Sequence, residues 1–189
     1  TALADGPLPD ILKLLRESPL SEKFGAGVRP LQAGGGFHLD LDLGIPIKDG
    51  SNPQIRGRLS FLDSTLDIKN WQLPISGLRG DLLFDQNGVE AKQLHALIYG
   101  NPVDVGIQRS AAGRPSTRIL ASAALPIRSL AKQFPEPVLE SLHGTSDWQL
   151  QLDIPNLSAP PHIPVMLQVS SNLLGTAVDQ PPPLGKTAA

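Results

Sequence analysis

From Phe37 onward, apolar side chains recur at every second position in run after run, and Gly, Pro, Asn or Asp punctuates the runs. Successive side chains of a strand point to opposite faces, so a period of two builds strands with one apolar and one polar side. Phe37, Leu39, Leu41 and Leu43 point one way, while His38, Asp40 and Asp42 point the other. Leu59 and Phe61 continue the pattern, as do Leu66 and Ile68 beyond the Asp63–Ser64 turn. Leu82 and Phe84 follow, with Arg79, Asp81 and Asp85 on the opposite side. Val103, Val105 and Ile107 form a further run, then Ile119 and Ala121, then Trp148, Leu150 and Leu152, then Leu167 and Val169.

The connections are short. Asp85-Gln86-Asn87-Gly88 is a tight-hairpin signal, and Gly100-Asn101-Pro102 marks another turn. Between Val89–Ala91 and Leu94–Ala96 the apolar phase slips by one residue, which predicts a β-bulge between Lys92 and Leu94. With 19 Pro and 18 Gly against 4% aromatics, the composition suits many short-linked strands rather than a helical bundle. The expected fold is mainly β: a long, twisted antiparallel meander with one apolar face, which either closes on itself or stays an open or half-closed groove.

Two segments depart from period two. Leu8, Ile11, Leu12 and Leu15 share one face of a helix expected over residues 8–20, with Pro9 and Asp10 in its first turn and Pro19 ending it. Residues 126–143 predict two short helical turns broken by Pro135 and Pro137, with Gly144 as the stop. Gly34, Gly35 and Gly36 suggest a flexible entry to the first strand. The expected organisation is thus a helix and linker over 1–33, a first groove unit over 34–125, a helical connection over 126–143, and a second unit with a Pro-rich tail over 144–189. Residues 35–46 align without gaps to residues 144–155, which suggests that a whole multistrand layer repeats.

Several chemistries are excluded or weak. The chain has no cysteine, so thiolate catalysis, Cys-ligated metals and disulfides are ruled out. A net charge of -2 gives no electrostatic footprint for nucleic acid. No apolar run reaches the length of a membrane span, and Thr1 does not open a signal peptide, so the chain reads as a piece of something longer. His38, Asp40 and Asp42 share one strand face, but carboxylates spaced along a solvated face need partners from elsewhere to bind a metal or run acid–base chemistry. Asp81 and Asp85 would supply such partners only by coincidence of register. Ser171 lacks a nucleophile-elbow context, and the glycine triplet lacks the following helix of a phosphate cradle. Asn156-Leu157-Ser158 fits a glycosylation sequon, and Trp71 and Trp148 read as core or rim anchors. No cofactor and no catalytic residue is expected.

The apolar face must be covered. A closed sandwich or barrel is one solution; the other is a trough open to hydrocarbon. Transfer of an acyl chain from water gains roughly 0.8 kcal/mol per CH₂ and needs no specific polar contact. The candidate lining is Phe37, Leu39, Leu41, Leu43, Leu59, Phe61, Leu66, Ile68, Leu82, Phe84, Val103, Val105, Ile107, Trp148, Leu150 and Leu152.

The order of features resembles one family. Ser18-Pro19-Leu20, Leu39-Asp40-Leu41-Asp42-Leu43, Gly57-Arg58-Leu59-Ser60-Phe61 and Leu78 to Phe84 resemble the YhdP family of AsmA-like envelope proteins. Gly100-Asn101-Pro102-Val103, Leu142-His143-Gly144, Trp148, Ser171 to Gly175 and Pro182 to Lys186 extend the resemblance across nearly the whole chain. It implies an interior slice of a periplasmic, inner-membrane-anchored protein whose β-groove units carry phospholipid toward the outer membrane. The implied partners are phospholipid acyl chains and neighbouring groove units, with edge-to-edge self-association of the chain as a further expectation. A non-catalytic envelope scaffold that recruits strands at its sheet edges is the alternative. A carbohydrate-binding sandwich is the weakest reading, because the outward positions are mostly Asp, Arg, Ser and Gln.

Overall fold

The computed structural model describes residues 1–17, 31–44, 54–68, 73–110, 116–133, 141–155, 165–178 and 185. Among these residues ten strands and two helices follow in the order β1 (Ala2–Pro7), α1 (Leu8–Glu17), β2 (Leu31–Gly44), β3 (Gln54–Ile68), β4 (Leu73–Asp85), β5 (Gly88–Ile98), β6 (Asn101–Ser110), β7 (Ser116–Pro126), α2 (Ile127–Gln133), β8 (Leu142–Pro155), β9 (Met166–Ser171) and β10 (Thr176–Val178). Each strand from β1 to β8 pairs antiparallel with the next, and β9 and β10 both pair with β8. The result is a single open antiparallel sheet that is not closed into a barrel: the alternation predicts the antiparallel strands, and the open form is the one the family resemblance implies. All ten described strands belong to this one sheet.

Register carries the alternation across the sheet. Phe37, Phe61, Gly80, Leu94, Val105, Ala121, Leu150 and Val169 pair in turn from β2 to β9, one continuous row on one face. Beside it run Leu39–Leu59–Leu82 and Ala91–Ile107–Ile119–Leu152–Leu167. A one-residue slip would turn every one of these side chains to water, so burial of this face fixes the pairing. The polar face fixes it again through cross-strand pairs: His38 with Asp5 at 2.6 Å, Ser60 with Asp81 at 2.6 Å, and Arg118 with Asp153 at 2.7 Å.

Bulges curl the sheet. The expected one lies between Ala91 and Leu94. Others interrupt β2 at Gly34/Gly36, β3 between Phe61 and Leu66, and β4 between Ser76 and Arg79. The glycine triplet is therefore not a hinge before the first strand: β2 already begins at Leu31, and Gly35 (φ 82°) absorbs a bulge inside it. Extra residues on one strand increase local twist and bend the sheet toward one side. That bend gathers Phe37, Leu59, Phe61, Leu78, Ala91, Leu94 and Ala96 into one buried cluster.

The two helices occupy equivalent places. Pro7 at the end of β1 faces Gly36, and Pro126 at the end of β7 faces Thr145. In each case the next residue, Leu8 or Ile127, opens a helix and is almost wholly buried. One residue before the facing positions, Gly35 and Gly144 both have positive φ, and each abuts a fully buried hydroxyl residue, Ser64 or Thr176. The residue preceding each hydroxyl, Asp63 or Gly175, also has positive φ. The match of residues 35–46 to 144–155 thus aligns structurally equivalent positions.

The expected helix over 8–20 is described over Leu8–Glu17, and the 126–143 connection is helical over Ile127–Gln133, with strand from Leu142 onward. Gly144 lies inside β8 rather than at a helix end. Residues Ala2–Pro7, expected as linker, form an edge strand. Pro19, Pro135, Pro137, Trp71, the 156–158 sequon and Pro181–Pro183 lie outside the described residues.

Candidate functional site

Every residue of the expected lining falls on the apolar face, but the lining is not uniform in depth. Phe37, Leu59, Phe61, Val103 and Leu152 are buried, and Leu43 is 48% exposed. Leu39, Leu41, Leu66, Ile68, Leu82, Phe84, Val105, Ile107, Trp148 and Leu150 are half-buried. Over β2–β6 the curled sheet packs these side chains on one another, and Leu8 and Ile11 of α1 join the packing. Toward β9 the cover ends, and Leu167 and Val169 are 59% and 52% exposed. The apolar surface is therefore continuous, packed tightly at one side of the sheet and uncovered at the other.

Further residues that the alternation ran through but the expected lining left out belong to this face: Leu78, Ala91 and Leu94 in the buried cluster, and Ile119 between Ile107 and Leu152. Leu94 follows the bulge that resets the phase of β5. Arg109 was missed for another reason. It continues the Val103–Val105–Ile107 parity on β6 but reads in sequence as the polar end of a strand.

Arg109 Nη1 donates to Asp85 Oδ2 at 2.8 Å, and the two side chains are 33% and 20% exposed. Burial opposes the charge on Asp85, but the Asn87 amide and the Arg109 guanidinium outweigh it and hold the carboxyl below its ordinary value. Asp153 is also held low, first by the hydrogen bond from Arg118 and then by the Gln151 carboxamide at 2.7 Å.

The expected polar candidates have structural partners instead of a reaction geometry. His38 Nδ1 lies 2.6 Å from Asp5, and its Nε2 is 3.8 Å from Asp40. The hydrogen bond to Asp5 raises the His38 pKa above its ordinary value. Asp81 accepts from Ser60, and Ser171 Oγ lies 3.2 Å from Ser146 Oγ while accepting the Leu173 amide. Among the described residues no group of three His, Asp or Glu side chains is arranged to hold a metal ion.

The polar face is also shaped. Across β5–β9 there is an open concavity of about 630 Å³, lined by Lys92, Gln93, Asp104, Ser122, Gln149, Gln151, Gln168 and Ser170 together with Val105, Gly106, Leu120, Ala121 and Leu150. Carboxamides and hydroxyls share it with aliphatic side chains, so it is a mixed surface.

One ordered apolar face on a bulge-curled open meander, with helices at repeated positions, is the architecture the family comparison must explain. The family described as YhdP protein matches residues 1–189. The chain belongs to the YhdP family. It is 24% identical over 187 residues to the intermembrane phospholipid transporter YhdP of Escherichia coli (strain K12), a match that covers 97% of this chain and 14% of that protein. The chain thus spans about one seventh of the length of that YhdP relative. No solved structure matches it. No helix among the described residues is long and apolar enough to cross a membrane.

Proposed function

We propose that this chain is a non-catalytic segment of a lipid-transport path, in which the apolar face shelters phospholipid acyl chains while headgroups stay at the polar rim. The observation that carries the reading is the unbroken apolar row from Phe37 on β2 to Val169 on β9. Such a surface gains free energy from any hydrocarbon laid on its uncovered part, and its aliphatic side chains hold a tail by no specific polar contact. The relative's name, a phospholipid transporter acting between membranes, supports the substrate class. In this proposal the chain works in the periplasm as part of an inner-membrane-anchored protein. Equivalent units continue the groove on either side and bridge toward the outer membrane.

The repeat supports that extension. β1 enters α1 as β7 enters α2, so one structural unit follows another along the same sheet. The uncovered Leu167 and Val169 then mark where the apolar face passes to the next strands.

Photo-crosslinkers at Leu41 and Leu150, both half-buried, test the reading in cells making the protein that contains this chain. Phospholipid adducts at both positions support it, and capture of protein alone at both rejects it. The second reading, a scaffold that pairs partner strands at its edge, rests on β1, whose far edge has no strand partner among the described residues. It predicts crosslinks from β1 to protein and none from Leu150 to lipid.

A further inference from the structure

Arg109 is the one ionisable side chain at an inward register position among the described strand residues. It stands at the end of the Val103–Val105–Ile107 column, opposite Thr117, where the apolar face meets the strand ends. Its side chain passes beside Gly88 and reaches Asp85 two strands away. Only Nη1 is engaged there. The Nε atom is buried and has no hydrogen-bond partner.

An unpartnered guanidinium donor beside apolar surface is costly unless something supplies an acceptor. The planar fork of arginine presents Nε and Nη2 along one edge, with a spacing that matches two oxygens of a phosphate. Arg56 stands opposite Asp85 in the β3–β4 register, so that carboxylate keeps a cation at hand if an anion draws Arg109 away. Below Arg109 the face is hydrocarbon. Six residues of β8 separate the level of Ile154, opposite Thr117, from Trp148, about 20 Å of strand, against about 15 Å for one leaflet's share of a bilayer core.

We propose that the Nε edge of Arg109 is a phosphate-recognition point. It holds the phosphodiester of a phospholipid whose tails lie along Ile107, Ile119 and Leu150 toward Trp148. Asp85 serves as the resident counter-ion that an incoming phosphate competes with. This rests on the lipid-path reading and deepens it: one charged station sets the headgroup to the strand-end rim and the tails to the interior. A free phosphate ion offers the same oxygens, so the source of the anion is decided by experiment.

The test is side-chain NMR of the Arg109 Nε–H in the 189-residue chain, titrated separately with three probes. These are dihexanoyl-phosphatidylglycerol below its micelle concentration, dihexanoylglycerol, and inorganic phosphate. The expected result is a saturable shift with the phospholipid and none with dihexanoylglycerol, although the latter perturbs Ile119 and Leu150. Inorganic phosphate then acts only at concentrations at least tenfold higher, because it lacks the tails. Arg109→Gln weakens phospholipid binding by roughly tenfold or more and leaves dihexanoylglycerol binding unchanged. Asp85→Asn, which frees the guanidinium, strengthens phospholipid binding several-fold, an effect that a purely structural ion pair does not produce. Phospholipid binding that is equal in wild type, Arg109→Gln and Asp85→Asn overturns the phosphate station but leaves the apolar path standing. If phosphate binds as tightly as the lipid and dihexanoylglycerol perturbs nothing, both the station for lipid and the path beneath it are wrong.

Discussion

The ring of Phe84 occupies the space beside Gly57, so close that a Cβ at that glycine would come within 2.3 Å of the ring carbon Cζ. A missing side chain on β3 is thus filled by an aromatic one on β4, directly across the register. Gly57→Ala forces the ring aside and also brings its methyl to 2.8 Å from the Asp40 carbonyl oxygen, which cannot yield. Overpacking of this kind costs about 1–3 kcal/mol. Denaturant unfolding of Gly57→Ala, Phe84→Ala and the double variant checks it, with the double variant less destabilised than the sum of the singles.

Glycines of positive φ separate into two classes. Gly100 (φ 78°) has open space where a Cβ would go, so Gly100→Ala carries only the left-handed strain, about 1–2 kcal/mol. Gly35 and Gly144 add a collision, with a Cβ 2.7 Å from the Ser64 Cα and 2.1 Å from the Gly175 carbonyl oxygen respectively. Alanine at either is expected to cost clearly more than at Gly100, and thermal unfolding ranks the three. Equal shifts in Tm would mean that the two repeated positions do not need their glycines.

These positions show what the sequence made legible. Alternation over Phe37–Leu43, Leu82–Phe84 and Trp148–Leu152 carries its own signal, because period two and one-sided burial are the same fact. The phase slip near Lys92 was readable for the same reason. β1 was not. Its inward residues are Ala2, Ala4 and Gly6, small because Gly6 sits under the Phe37 ring, with a Cβ there only 3.4 Å from Cε1, so no apolar period marks the strand. Bulges at Gly35 and Gly77 escaped because glycine in a strand reads equally as a break. Arg109 escaped because parity alone, without the pairing to Thr117, does not reveal that a terminal charge faces inward. The depth of the lining was invisible as well, since curvature adds up over several bulged strands and belongs to no single one.

The ion pairs set opposite pH responses. His38 has a folded pKa raised above 6.5 by Asp5, so its contribution to anchoring β1 is complete below 6.5 and fades as pH rises through the raised value. Asp85 and Asp153 have folded pKa values depressed below 3.8, so their contributions are present above 3.8 and fade as pH falls through the depressed values. Histidine NMR titration is expected to show the His38 midpoint above the ordinary value and back near it in Asp5→Asn. Amide exchange across β1 is then expected to quicken from mildly acidic to mildly alkaline pH in wild type and to change less in Asp5→Asn.

The unequal depth of the apolar face decides which substitutions test transport and which merely break the fold. Phe61 sits in the middle of the buried cluster, 9% exposed, between Phe37 and Gly80 in the register. Phe61→Glu buries a carboxylate with no cation opposite it, and several kcal/mol of destabilisation is expected. Leu41 is half-buried near the end of β2, with Ala2 and Gly57 as its small cross-strand neighbours, so an aspartate there reaches water and the sheet survives. Leu41→Asp is therefore expected to retain a cooperative unfolding transition within about 2 kcal/mol of wild type. It is also expected to lower phospholipid crosslinking at Leu150 in the protein containing this chain, because a charge in the lining makes the path hydrophilic. Undiminished crosslinking at Leu150 in a folded Leu41→Asp protein would show that lipid does not travel along these rows, however apolar they are.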